Sequence, residues 1–397
     1  MGGGVKPMRV LYCILDNRFG GPHRLAMTVA GRLRDQGVET LFLLGQKTRD
    51  PWQPAGFRVF LCKRIQCFTR RRPVWNLAGF CIALPWNLVK IRRLIEANAI
   101  DIIHVDGITN FVPALAARLA RRPIIWHYND HVPDVLRGIL LRLVNALACT
   151  VVVQGHKLRD DRTGAIADLH AKTVVLPSAI ALREFCPEKY DVQTRAQLRT
   201  DLGIGPDGPL IGMIGNMNRF KGHTWFIRAA QRIKERVDNA RFVIVGKRLD
   251  TDPGYWDRLQ RLTAECGLEK DVVYTGFRDD IPSVLSALDV FVLSSILESC
   301  PVVLLEAMAM KVPVVATNVG AVAEMVAHGR TGFVVPLRDP EAIAEAVLAI
   351  LAKPRDEVRD MVEQARKTVE REFSVDTIAQ QQLQLYERSH GLGARHA

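Results

Sequence analysis

No run of this 397-residue chain reaches the roughly 18–20 uninterrupted apolar residues that a membrane span needs. The longest apolar stretches, such as 281–297, are broken by Ser and Asp, which argues against an integral membrane protein. The eight cysteines, at 13, 62, 67, 81, 149, 186, 266 and 300, form no Cys-x-x-Cys pair and no Cys/His cluster at zinc spacing. That pattern suits neither a disulfide scaffold nor a zinc site, and a reducing, cytoplasmic compartment is expected. The opening MGGGVKPMRVLYCIL has too short an apolar run and no small-residue cleavage site for a secretory signal. Lys6 also stands where a myristoylation signal wants Ser or Thr. No solenoid-length repeat is visible, and 48% hydrophobic with 24% charged residues is the composition of a folded globular chain.

Carboxylates are locally scarce. Residues 51–95 hold nine Lys or Arg, including Lys63, Arg64 and Arg70-Arg71-Arg72, and no Asp or Glu. The net charge of +12 is correspondingly lopsided: residues 1–182 carry 26 Lys and Arg against 12 Asp and Glu, and residues 183–397 carry 28 against 30. A surface this basic attracts phosphate, nucleic acid or an anionic bilayer. The same stretch interleaves its cations with Trp75, Phe80, Trp86 and Leu88, which suits an anionic membrane interface. The opposing reading is a core-packed helix over 85–97 with its cations in water.

What is present is an alternation of short β-branched runs with longer amphipathic segments, the pattern of a doubly wound α/β fold with buried parallel strands. Strands are expected at 9–15, 40–44, 100–105, 124–126, 150–153 and 173–176, then at 210–214, 241–245, 272–275, 290–293, 313–316 and 332–335. Two sheets of this kind imply two domains. Residues 183–208 are polar and rich in Gly and Pro, and are expected to form the hinge. Helices are expected at 341–352, 355–372 and 375–389.

Three loops carry chemistry. The first, ending in Gly20-Gly21 before Pro22, permits close backbone approach at a helix start, though a plain tight turn reads equally well. It is not Gly-x-Gly-x-x-Gly, and the second strand lacks the acidic residue that would hold an adenosine ribose, which disfavours a nicotinamide dehydrogenase. The second loop, from Gly215 and Asn216 through Arg219, Lys221 and Gly222 to a helix capped by Thr224, concentrates positive potential where a diphosphate would fit. Two solvated cations in a surface turn are the alternative. The third loop reads ESCPVVLLE, with Pro301 at the first helical position, Glu298 at the strand end and Glu306 on an otherwise apolar helix. Glu298 can accept sugar hydroxyls and Glu306 both hydroxyls of a ribose. A carboxylate favoured by the helix dipole and a structural ion pair are the competing explanations.

In this order the segments resemble a GT-B glycosyltransferase of the large retaining family called glycosyltransferase family 4, over nearly the whole chain. ESCPVVLLE resembles the family's Glu-x7-Glu signature and GNMNRFKGH its Gly-Arg-Leu-x-x-x-Lys-Gly loop. VVYTGFRDDIPSVLSALDVFVLSSILE, VVLPSAIALREFCP and VPVVATNVGAVAEMVAHGRTGFVV are similar to further family segments. The resemblance implies two Rossmann-like domains facing across a cleft. Residues 1–182, completed by the helix 375–389, would form the acceptor side, and 183–374 the nucleotide-sugar domain. It implies that Lys221 neutralises the donor diphosphate, Glu298 contacts the sugar, Glu306 holds the ribose and His127 reaches the sugar. Gly20, Gly21, Gly215 and the amides around Ser299, Cys300 and Val302 would lie against phosphate or sugar. Asn216 stands where the family usually has Arg, so the second phosphate cation is assigned to Arg219 by proximity. Ser178-Ala179 and Ala321 depart from the usual Asn-Gly and Gly.

The implied reaction is retaining transfer from a nucleoside diphosphate sugar, of the UDP or GDP type, to a glycan or lipid-linked acceptor, without metal or other cofactor. No Asp-x-Asp motif is flanked as a metal site. Asp160-Asp161 and Asp279-Asp280 are expected to precede helices as dipole-complementing charge. A nucleotide-sugar epimerase or hydrolase on the same fold, and a basic binding protein, are the alternatives. No nucleic-acid module is recognisable, so nucleic acid is not expected as a partner.

Overall fold

Thirteen strands, all pairing in parallel, are arranged in two separate sheets in the structure, a computed structural model that describes residues 7–15, 21–45, 56–62, 73–129, 134–205, 207–249 and 252–394. The first sheet contains β1 (Met8–Ile14), β2 (Val38–Gly45), β3 (Arg58–Cys62), β4 (Ile102–Asp106), β5 (Ile124–His127), β6 (Thr150–Val153) and β7 (Thr173–Val175), in the order β3-β2-β1-β4-β5-β6-β7. The second contains β8 (Leu210–Ile214), β9 (Arg241–Val245), β10 (Val272–Gly276), β11 (Val290–Leu293), β12 (Val314–Thr317) and β13 (Phe333–Val335), in the order β10-β9-β8-β11-β12-β13. Both orders reverse beside the first strand, between β1 and β4 and between β8 and β11. Such switch points splay neighbouring loops apart at the strands' carboxyl ends and leave room for a ligand.

The strands are apolar on both faces because helices cover both. In the first unit, Leu11, Cys13, Ile103, Val105 and Trp126 face one core, while Val10, Ile102, Ile125 and Val152 face another. That second core is shared with Ile378, Ala379, Leu385 and Tyr386 of the helix Val375–Ala394. In the second unit, Phe291, Leu293 and Val314 pack on Leu304, Met308 and Val369, and Ile211, Phe242 and Val292 pack on Phe226, Ile343 and Val347. Each fully buried Leu, Ile or Phe of these layers contributes about 1.5–3 kcal/mol.

The compact units are Met1–Ala179 with Val375–Ala397, and Ile180–Ser374. Residues 180–182 therefore stand with the second unit, where Ile180 N–H donates to the Phe373 carbonyl at 2.9 Å and bridges Ser374. The segment 183–208, expected as a hinge, is instead built into that unit. It forms the turn Pro187–Lys189 and the helix Val192–Asp201, capped by Asp191, and it buries Phe185, Leu198, Leu202 and Ile204. Its sparse apolar residues are enough because these four converge on one core, while Val192 stays exposed.

Three further expectations are corrected. The edge strand β3 was not anticipated. The helix in the basic stretch runs over Pro73–Ala97 with Pro85 inside it, tolerated on the exposed side of the helix. Asp160 and Asp161 lie within the helix His156–Thr163 and not ahead of one, with Asp161 paired to Lys157 one turn earlier at 2.5 Å.

Candidate functional site

In the second unit the loops after β8 and β11 are neighbours because their strands are. Hydrogen bonds fasten them: Ile296 N–H donates to the Phe220 carbonyl at 2.8 Å, Ser294 Oγ is shared between the Gly222 carbonyl at 3.1 Å and the Lys221 carbonyl at 3.3 Å, and Lys221 Nζ donates to Glu298 Oε1 at 2.6 Å. The last contact joins two residues 77 positions apart, with side chains 27% and 14% exposed. Ser295 Oγ donates to the same Glu298 oxygen at 2.9 Å, so both bonds fall on Oε1. A cation and a carboxylate thus meet, half-buried, at the switch point.

Local sequence explains the shape. Asn218 accepts from the N–H groups of Phe220 and Lys221 and starts the 3-10 turn Arg219–Lys221. Gly222 follows at φ 71°, and a Cβ there would come within 1.8 Å of the Ser294 carbonyl oxygen. Gly222, rather than Thr224, is the residue that caps the helix His223–Arg236. His223 is fully buried and its Nε2 lies 3.3 Å from the Gly215 carbonyl, holding the loop from below. Burial pushes its imidazole down to about 4. Gly215 N–H donates to Val245, and Asn216 Oδ1 accepts from Lys247 N–H at 3.2 Å.

Arg219 is turned elsewhere. Its guanidinium pairs with Asp252 at 2.9 Å, and Arg258 lies 3.5 Å from the same carboxylate. On a 3-10 turn of three residues, positions i and i+2 diverge, so nearness in sequence to Lys221 does not bring Arg219 to Glu298. Asp250-Thr251-Asp252 does spell Asp-x-Asp, but Asp252 is engaged by these two arginines; Asp250 is outside the described residues. Among the described residues no group of three or more His, Cys, Asp or Glu is gathered as a metal would need.

The third loop enters the helix Val302–Ala309 with Pro301 as its extended N-cap at ψ 105°, one position earlier than expected. Val302 is thus the first helical residue, and helix starts leave N–H groups without intrahelical partners. Glu306 is half-buried one turn further in. Cys300 points inward, its Sγ 3.7 Å from Met325 Sδ, so only its backbone remains at the loop surface. Gly320, at φ 57°, backs the loop so closely that a Cβ would come 2.4 Å from the Ser299 carbonyl oxygen, which also accepts from Ala321 N–H at 2.8 Å.

In the first unit, Gly21 opens the helix Gly21–Arg34; Gly20 lies outside the described residues. His127 ends β5 beside Asp106 at the end of β4. Both ring nitrogens of His127 are buried without a hydrogen-bond partner among the described residues. Burial lowers its pKa, opposed by Asp106 and reinforced by Arg162. Asp106 itself accepts from Tyr12 Oη at 3.2 Å and Asn129 Nδ2 at 2.8 Å. Sequence reasoning overlooked this carboxylate, although an Asp closing the buried strand IIHVD was a signal.

The basic helix Pro73–Ala97 exposes Ile82 (72%), Trp86 (79%) and Val89 (48%) on one stripe at i, i+4 and i+7, followed by exposed Lys90 and Arg93. Phe80 and Leu88 turn inward, Phe80 edge-on to Phe111 at 5.7 Å. Lys63, Arg64 and Arg70–Arg72 lie outside the described residues, as does the Trp75 side chain. No helix among the described residues is long and apolar enough to cross a membrane.

Comparison with known proteins agrees across both units. The family described as "Glycosyltransferase Family 4" matches residues 19–180, and "Glycosyl transferases group 1" matches residues 208–353. The chain is 32% identical over 307 residues to the GDP-mannose-dependent alpha-(1-6)-phosphatidylinositol monomannoside mannosyltransferase of Mycobacterium tuberculosis, covering 73% of this chain and 77% of that one. It is 27% identical to the Escherichia coli UDP-Gal:alpha-D-GlcNAc-diphosphoundecaprenol alpha-1,3-galactosyltransferase, covering 66% and 70%. Anabaena HepE, solved with UDP-glucose, shares the fold with a TM-score of 0.80 at 21% identity, over 96% of this chain and 100% of that one.

Proposed function

This chain belongs to the group 1, family 4 glycosyltransferases and has their GT-B fold, and from that premise we propose that it carries a sugar from a nucleoside diphosphate sugar, of the UDP or GDP type, to a glycan or lipid-linked acceptor with retention at the anomeric carbon. The observation that carries this reading is the Lys221–Glu298 pair at 2.6 Å between the loops of β8 and β11. When a donor binds, Lys221 exchanges its carboxylate partner for a diphosphate oxygen and Glu298 takes up sugar hydroxyls. Charge then develops on the departing diphosphate beside a fixed cation and the start of the helix Val302–Ala309, which is the electrostatic help this transfer needs.

The bond from the anomeric carbon to the diphosphate oxygen breaks as the bond to the acceptor oxygen forms on the same face. The acceptor's proton passes to the leaving diphosphate, so the chain supplies no nucleophile and no metal. Glu306 holds the ribose, and His127 serves the sugar. The M. tuberculosis and E. coli relatives carry phosphatidylinositol and undecaprenol acceptors in their names. The exposed stripe Ile82, Trp86 and Val89, with Lys90 and Arg93 beyond it, supports an acceptor presented at an anionic bilayer.

A thermal-shift panel of UDP, GDP, ADP and NAD tests the donor site. At about 100 times its dissociation constant, a ligand adds roughly 2.7 kcal/mol. One nucleoside diphosphate should stabilise the parent and neither Lys221→Ala nor Glu306→Ala. The absence of any diphosphate response in folded protein would refute the proposal.

A further inference from the structure

Two histidines in the first unit have more hydrogen-bonding capacity than their surroundings use. His104, on β4, is fully buried, and its Nδ1 lies 2.9 Å from Tyr386 Oη of the helix Val375–Ala394. Gln382 Nε2 donates to the same hydroxyl at 2.6 Å. An amide nitrogen only donates, and among the described residues His104 Nδ1 is the one acceptor within reach of the Tyr386 proton, so the hydroxyl accepts from Gln382 and gives that proton to His104 Nδ1. Neutral His104 therefore carries its own proton on Nε2, a buried nitrogen with no partner among the described residues. In sheet register His104 faces Ile125 and Asp106 faces His127, so the two histidines are diagonal neighbours on one face, with ring centroids 5.8 Å apart. The other polar groups around His127 are engaged elsewhere. Asp106 accepts from Tyr12 and Asn129, and Arg162 donates to the Tyr128 carbonyl and lies over the Tyr128 ring at 4.8 Å.

We propose that His104 is a positioning residue for His127: its Nε2–H donates through one buried water to one ring nitrogen of His127 and leaves the other as an N–H that meets a hydroxyl oxygen of the donor's sugar. His127 then acts as a hydrogen-bond donor to the sugar and takes no proton from the acceptor. The helix Val375–Ala394 thereby sets the tautomer of a residue it does not bond. The second half of the proposal rests on the assignment of His127 to the sugar; the coupling of the two rings does not.

The test is histidine-selective nitrogen-15 NMR of the full chain at neutral pH, which reads the tautomer of each ring, alongside steady-state kinetics. The parent should show His127 as a single neutral tautomer. Tyr386→Phe, which removes only the hydroxyl, should turn the His104 and His127 signals into tautomer mixtures. His104→Leu should do the same to His127 and lower kcat by about tenfold or more with little change in KM for the donor. His104→Gln, whose carbonyl accepts from Tyr386 while its amide donates to the bridging water, should restore both readouts. An unchanged His127 tautomer in folded Tyr386→Phe and His104→Leu proteins, or identical behaviour of the Gln and Leu variants, overturns the proposal. Should His104→Leu fail to fold, Tyr386→Phe decides alone. Full turnover by His127→Ala overturns the sugar contact, while the tautomer data still decide the coupling.

Discussion

Replacing His223 with Gln should make the second unit resistant to acid. His223 is sealed beneath the loop after β8, and burial holds its pKa at about 4 in the folded chain, against 6.5 for a free histidine. The unfolded state therefore binds a proton over the window from pH 6.5 down to 4 that the folded state refuses. Stability is complete above this window and is lost as pH falls through it. At pH 4 the difference amounts to ~3 kcal/mol, from 1.36 kcal/mol per pKa unit less the half-protonation of the folded ring. Glutamine keeps a donor for the Gly215 carbonyl and has nothing to titrate. Urea unfolding followed by fluorescence, at pH 7 and pH 4 in parent and variant, isolates the effect, because every other buried histidine is common to both proteins. The variant should gain ~3 kcal/mol on the parent between the two conditions. Parallel pH dependence in the two proteins would refute the reasoning.

Gly222→Ala places a Cβ 1.8 Å from the Ser294 carbonyl oxygen at φ 71°, so the loop must move. Beyond the left-handed penalty of about 1–2 kcal/mol, nucleoside diphosphate binding should be lost in thermal-shift assays. Substituting Ile82, Trp86 and Val89 together by Ser should abolish sedimentation with anionic liposomes at low salt while shifting stability by less than about 0.5 kcal/mol per site. Retained sedimentation would remove the stripe from the account. Activity should survive EDTA; complete loss restored by magnesium or manganese would contradict a metal-free departure of the diphosphate.

Much of the architecture is legible in the residues because buried parallel strands are short apolar runs. The edge strand β3 escaped although Val59-Phe60-Leu61-Cys62 is itself apolar, because the run is only four residues long and is set among Arg58, Lys63 and Arg64. The segment 183–208 misled because few of its residues are apolar, yet Phe185, Leu198, Leu202 and Ile204 converge once the helix Val192–Asp201 forms. Lys221 and Glu298 were each visible in their own loops. Their meeting depends on β8 lying beside β11, a property of strand order that no local window contains. Arg219 illustrates the converse, since two residues along a tight turn are enough to aim a side chain at a different partner.

The helix Val375–Ala394 belongs to the first unit although the whole of the second precedes it in the chain. At about 5–20 residues per second of ribosomal synthesis, roughly 20–70 s separate β1 from the segment that roofs it. Through that interval Val10, Ile102, Ile125 and Val152 await Ile378, Leu385 and Tyr386. The second unit, continuous in sequence, can finish first, and the amino-terminal half of the protein is the last to mature.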